Sequence, residues 1–434
     1  MNKLAVAAAL AAMTVLAAGC GGGGSGGTNV DANPAAQTTP GTLKLGLLVS
    51  RTGSSASLGQ FVEYAARLAV KEINEAGGVN GQQLELILRD DKLDADAGVL
   101  SARELAALEP VAIFGPFSSR VAIPVAQQVT IAAGIPFIAS GSSPLITALD
   151  DKGTVYRTVA SDALQGAALA DHIIEQGLTR VALIHVDDAF GVGASEAVRQ
   201  RLVARGYPPL ANITYPATKT VGFDAELAAL TANGVPQAVV MVGFALDGAS
   251  IARGLKEKLG GQAPRLFGSG NFGATFISNA GDAALGMQWV SPTAPRSTPS
   301  FAAYREAFVR QAGLEPEGTS FTGYDAVYLL ALAMVQGGAN TRAAVLANLE
   351  TVSRPDARPD GAAPVTVGPG QFAQALAALK AGRDIDYQGV AGSIDFDANG
   401  DPTSGTYLIS EVAKGADGTM AFVERKVFTF AQGK

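Results

Sequence analysis

Downstream of Gly41, short apolar runs alternate with amphipathic stretches, and this alternation constrains the fold more than any other feature of the chain. Leu43–Val49 is apolar almost without interruption, the pattern of a parallel strand covered on both faces. Phe61–Ala76 then sets Val62, Ala65, Ala66, Ala69 and Ile73 at helical spacing. Gly77-Gly78 ends that helix, since glycine takes the left-handed cap conformation without steric penalty. Leu84–Leu88 predicts the next strand, and Asp94 caps a helix running to about Ala107. Val111–Phe114, a helix near Val121–Ala133 and the strand Phe137–Ile138 continue the series.

A second series follows an extended Val155–Val159 and starts near Ser161. It has strands at Arg180–His185, 211–215, 238–242, 265–267 and 287–291, with helices at 194–205, 224–233 and 247–259. Helices near Ser300–Ala312, Phe321–Val335 and Thr341–Leu349 come after it. Strand alternating with helix implies parallel sheets with helices on both faces. The fold class is therefore α/β, with two doubly wound parallel-sheet lobes. No Pro/Gly-rich linker separates the two series, which predicts lobes joined by extended hinge strands.

The N-terminus reads as an address. Asn2-Lys3 precedes an apolar run from Leu4 to Ala18, short for a bilayer span, and the run ends in Leu16-Ala17-Ala18-Gly19-Cys20. The chain's only cysteine directly after Ala-Gly resembles a bacterial lipobox, with Cys20 as the lipidated first mature residue. Residues 1–19 are then a signal peptide, and 20–41, rich in Gly, Ser, Thr, Asn and Pro, a flexible tether. The expected location is exported, held to the membrane through Cys20 and facing the periplasm or the cell exterior.

Composition removes several function classes. The net charge is −7 with no basic stretch, which excludes a nucleic-acid binder that neutralises phosphates. One Cys and two His exclude an internal disulfide and all but exclude a Cys/His zinc site. No metal and no cofactor are expected. Gly268-x-Gly270-x-x-Gly273 follows a strand, but no acid stands about 20 residues on, as a dinucleotide site requires. Asp395-x-Asp397-x-Asn399-Gly400-Asp401 begins like a calcium loop, yet Thr406 occupies the twelfth position, so a turn at Asn399-Gly400 is the better reading. Neither His172 nor His185 neighbours a nucleophile motif, so no catalytic residue is assigned and the chain is read as a non-enzyme.

In open α/β sheets, ligands bind beyond the carboxyl ends of the strands. Ser118 and Ser119 follow Phe114, and Gly141, Ser142 and Ser143 follow Ile138. Hydroxyls and backbone N–H groups in such loops suit an anion without a cationic side chain. Phe190, Phe244 and Phe272 follow strands of the second series and suit an apolar wall; Asn271 stands beside the last of them.

Ile73-Asn74-Glu75-Ala76-Gly77-Gly78-Val79-Asn80-Gly81, the acidic Asp90-Asp91 and Asp94, Gly115 to Ser119, Gly141 to Ser143, Tyr324-Asp325-Ala326, and Phe396-Asp397 with Gly400-Asp401 together resemble the type I periplasmic solute-binding proteins of ABC importers. The closest group is the leucine/isoleucine/valine-binding family, over about Leu43 to Phe422. The resemblance implies three hinge crossings, near Thr158–Ser161, Ser291–Thr293 and Pro402–Gly405. Lobe 1 is then 42–160 plus 293–403, and lobe 2 is 161–292 plus 404–434. It implies a ligand carboxylate on Ser119 and Ser143, helped by backbone near Gly141, with Phe190 and Phe244 where branched-chain binders have Tyr. Gly270 falls where the family has the acid that meets the ligand ammonium. Either Asp187, Asp188 or Asp247 replaces it, or the ligand lacks the amine, because an unpaired buried ammonium is costly.

The candidate binding residues are thus Ser118, Ser119, Gly141, Ser142, Ser143, Phe190, Phe244 and Asn271. The expected function is a monomeric receptor that clamps a small carboxylate, an apolar or branched-chain amino acid, and docks on a membrane permease. Alternatives are a regulatory envelope lipoprotein of the same fold acting by contact on a cell-wall synthase, a sensor ectodomain, or a receptor for a non-amino-acid carboxylate or amide.

Overall fold

The computed structural model describes residues 41–53, 55–354 and 363–433. The expected signal peptide, Cys20 and nearly all of the expected tether lie outside them. The first sheet is built from β1 (Leu43–Val49), β2 (Leu84–Asp90), β3 (Ala112–Phe114), β4 (Phe137–Ala139) and β5 (Val155–Arg157), all parallel, in the order β2-β1-β3-β4-β5. Its helices are α1 (Ala56–Glu75), α2 (Ala95–Ala106), α3 (Ser119–Val125) and the single turn α4 (Pro144–Thr147). Asp94 caps α2 as the sequence predicts, accepting from the Ala97 N–H at 3.0 Å. Pro124 gives no N–H to the α3 ladder, and from Ala126 to Thr130 the helix widens into π turns.

The second lobe opens with α5 (Asp162–Glu175), a helix the sequence series near Ser161 did not include. Next come β6 (Val181–Asp187), α6 (Ala189–Ala204), β7 (Asn212–Pro216), α7 (Asp224–Thr231), β8 (Ala238–Phe244), α8 (Ala245–Leu259), β9 (Arg265–Asn271), α9 (Gly273–Ala280) and β10 (Gln288–Pro292). The chain then adds α10 (Pro299–Ala312), α11 (Phe321–Gln336), α12 (Arg342–Ser353), β11 (Val365–Val367), α13 (Phe372–Lys380), β12 (Ile385–Gly389) and β13 (Gly392–Ser393), which pack on the first sheet. It returns as β14 (Ser404–Lys414) and β15 (Met420–Ala431). These two are antiparallel and extend the second sheet to β15-β14-β10-β9-β8-β6-β7, so that sheet is mixed at one edge. The Asn399-Gly400 turn is formed, with the Gly400 N–H on the Asp397 carbonyl at 3.0 Å and a bridge between Phe396 and Pro402.

Each sheet has apolar side chains on both faces. In the first, β1 and β3 meet α1 and α11 on one side, while Leu48, Ile113 and Phe137 meet α2 and α3 on the other. α11 is predominantly apolar and buried from Phe321 to Met334, which is how a helix inside a core reads. In the second sheet, Ile184 and Met241 face α8 and α9, and Leu183 and Val240 face α5 and α6. With both faces covered, only the strand ends are left to hold a ligand.

Candidate ligand-binding site

The loops after β3 and β4 converge. Ser119 opens α3 and is buried; its Oγ accepts the Ser143 N–H at 3.1 Å. That bond welds the two hydroxyl-bearing loops into one surface and leaves the Ser119 proton to donate. Ser118, the N-cap of α3, is half-buried and makes no side-chain cap bond. Gly141 lies against Ser119.

The other two serines are committed. Ser143 Oγ donates to the Ala189 carbonyl of the second lobe at 2.6 Å and accepts from the Leu145 N–H at 3.2 Å. Its hydroxyl therefore holds the lobes together here, a use the sequence did not indicate. The approach is close: a Cβ on Gly193 would stand 2.5 Å from Ser143 Oγ. Ser142 Oγ donates to Asp162 Oδ2 at 2.9 Å.

Across from these loops, Phe190 follows β6 and Phe244 ends β8, with ring centroids 6.0 Å apart and planes tilted by 40°. Phe244 is 43% exposed, and Phe190 rests partly on the lobe core. Asn271, the β9 residue paired with Phe244, is exposed at the same strand ends. Ala189, which Ser143 touches, precedes Phe190, so serine loops and phenylalanines come from facing edges. Phe272 is not part of this wall: it is buried against Phe276 and Trp289, because its position one residue past the strand turns it into the lobe core.

Gly270 is closed to any side chain. Its φ is +136°, and a Cβ there would stand 2.0 Å from the Gly243 carbonyl oxygen. The three acids considered as replacements are placed as follows. Asp247 is buried, accepts the Phe244 N–H at 3.0 Å and takes a short hydrogen bond from the Tyr215 hydroxyl; burial raises its pKa. Asp188 caps α6, accepting the Gly191 N–H at 2.8 Å, and burial raises its pKa while Arg120 draws it down. Asp187 ends β6 with an exposed side chain. The Asp90-Asp91 pair organises the loop after β1: Asp90 accepts from the Arg51 N–H at 2.9 Å, and Asp91 from Ser50 Oγ at 2.5 Å.

Two charged residues at this junction belong to no motif of the sequence. Arg157, fully buried, donates to Asp401 Oδ1 at 2.7 Å, the Ser143 carbonyl at 2.8 Å and Thr147 Oγ1 at 2.7 Å. Asp162 is 1% exposed, and burial pushes its carboxyl up to about 7, against the pull of Ser142 and Arg157. Their signal was position: both flank the stretch that leads from the first sheet to the second, next to the serine loops in space.

Two sheets, one parallel and one parallel but for its β14–β15 edge, chain passages near 158–161, 293 and 402–403, and a polar loop cluster facing an aromatic wall define a two-lobed solute-binding protein. Residues 42–417 match the periplasmic binding protein family, and the chain belongs to it. A Leu/Ile/Val-binding protein homologue of Brucella abortus is 27% identical over 385 residues, 88% of this chain and 93% of that one. A leucine-binding protein LivK from Thermotoga maritima shares the fold with a TM-score of 0.69 at 20% identity, over 89% of this chain and 99% of that one. A solute-binding protein of an ABC transporter from R. palustris, solved with benzoate, shares it with a TM-score of 0.65 at 18% identity, over 91% and 98%.

Proposed function

We propose that the protein is the extracytoplasmic, lipid-anchored receptor of an ABC importer, and that it clamps a small apolar amino acid between its lobes. The carrying observation is the Ser119 hydroxyl, fixed by the Ser143 N–H with its own proton to donate, opposite the Phe190–Phe244 pair. Such a hydroxyl takes a carboxylate; the phenylalanines take an aliphatic or aromatic body. Neither ring carries a hydroxyl, so a polar ligand side chain gains nothing from them. The names of the relatives, leucine-binding and Leu/Ile/Val-binding, support the same ligand class.

A second reading is a carboxylate without an amine. The closed position at Gly270 favours it, and the benzoate-bound relative shows that a protein of this fold takes such an acid. Titration calorimetry with leucine, isoleucine, valine, phenylalanine and their deaminated acids separates the two. Amino acids binding more tightly supports the first reading, and preference for the deaminated acids replaces it with the second. Silence from the whole set argues for a different ligand class.

A further inference from the structure

An α-ammonium sits on the carbon that bears the carboxylate, so its partner has to stand beside the carboxylate-binding loop. Asp247 is held by Tyr215 and by the Phe244 N–H, Asp188 by its own helix, Asp187 is exposed at the end of β6 with no hydrogen bond to the serine loops among the described residues, and Gly270 admits no side chain. One buried carboxylate does touch the loop. Asp162 Oδ2 accepts from Ser142 Oγ at 2.9 Å, and the Asp162 N–H donates to the Ser142 carbonyl at 2.7 Å. This reciprocal pair fixes the first residue of α5 to the residue preceding Ser143. The cation that attracts Asp162 is Arg157, whose guanidinium is already neutralised by Asp401 and bonded to Ser143 and Thr147. Asp162 is thus a buried carboxylate at the ligand loop whose nearby cation is paired elsewhere, the situation a ligand cation relieves.

We propose that Asp162 is the ammonium-binding residue of this receptor, acting beside Ser119 in place of an acid at Gly270. The proposal rests on the amino-acid reading above. The charged and titratable groups that face Asp162 are Arg157 from β5 and Tyr407 from β14; the serine loop adds Ser142. Without a ligand, burial holds Asp162 at about 7. An adjacent ammonium favours the charged carboxylate and lowers that value. At pH 6 the arriving amino acid then displaces a proton from Asp162, and its deaminated analogue does not.

The test is calorimetry on the full chain with L-leucine and 4-methylpentanoate at pH 6 and pH 8, in two buffers of different ionisation enthalpy. Leucine should release a proton at pH 6 and bind about tenfold more weakly there than at pH 8, since the proton must be displaced. Asp162→Asn should weaken leucine about tenfold or more, at the scale of a lost charge-assisted bond, while 4-methylpentanoate, which carries no ammonium, should bind no more weakly than to the wild type. Leucine binding to the wild type without proton release overturns the proposal whether or not the variant folds, and leaves the amino-acid reading standing. Wild-type affinity of Asp162→Asn for leucine does the same. Preference of the wild type for 4-methylpentanoate, or binding of neither compound, overturns both.

Discussion

Ser119 and Ser143 look alike in sequence and differ in what their hydroxyls are free to do. The Ser119 hydroxyl accepts the Ser143 N–H, which leaves its own proton to donate, whereas Ser143 gives its proton to Ala189. Ser119→Ala therefore removes a hydrogen bond to a charged group, about 1.5–3 kcal/mol, and should weaken binding roughly tenfold to a hundredfold. Ser143→Ala removes a neutral inter-lobe bond, about 0.5–1.5 kcal/mol, and should show a smaller loss in the same titration. Asp162 also makes stability depend on pH. Its folded value of about 7 lies above the ordinary 3.8, so the folded chain binds the proton more tightly. Below 3.8 the group is protonated in both states and contributes nothing. From there to about 7, stability falls by about 1.4 kcal/mol per unit, and above 7 the penalty is constant. Asp162→Asn should accordingly gain thermal stability over wild type at pH 8 and little at pH 4. An equal difference at both pH values would contradict this assignment.

At the scale of elements, α11 fixes the first lobe through one buried acid. Asp325 accepts from the Val390 N–H at 2.9 Å, the Ala391 N–H at 3.0 Å and Tyr387 Oη at 2.8 Å, so it joins α11 to β12 and the turn after it. Burial pushes its carboxyl up to about 6. Asp325→Ala leaves those donors without an acceptor at about 1–3 kcal/mol each, so chemical denaturation should show a loss of at least about 3 kcal/mol. The Tyr324-Asp325-Ala326 motif belongs to this joint, two residues beyond Thr322, whose Oγ1 accepts from Ser140 at the foot of the Gly141–Ser143 loop: it was legible as a family mark, while its work as a donor sink was not.

For the whole molecule, the Arg157–Asp401 pair spans 244 residues and ties the first chain passage to the third. Removing one member strands the other charge in the interior, at about 3–5 kcal/mol. Asp401→Ala should cost about that much in denaturant titration, and pairing Arg157→Met with Asp401→Leu should cost less than the single change. Anchoring is tested separately. Cys20→Ser should move the exported protein from the membrane to the soluble fraction, and unchanged membrane association would remove the lipid anchor from the proposal.

The strands were legible because a strand covered on both faces must be apolar along its length, and Leu43–Val49 has the same limits in sequence and structure. The loops that carry Ser119 and Ser143 were legible for a related reason, since parallel strands leave only their carboxyl ends for polar chemistry. Helix α5 and the β14–β15 edge were not, and for the edge the reason is that an antiparallel return falls outside the alternation of strand and helix that marks a parallel sheet. Hydroxyl roles and acid placement had to wait for tertiary structure. Ser142, Ser143, Asp162, Arg157 and Asp401 lie on three separate stretches of chain, and a side chain's free proton or missing counter-charge is fixed by neighbours in space. Gly270 shows both sides: the sequence showed that an acid is absent, and the 2.0 Å from its would-be Cβ to the Gly243 oxygen shows why none fits.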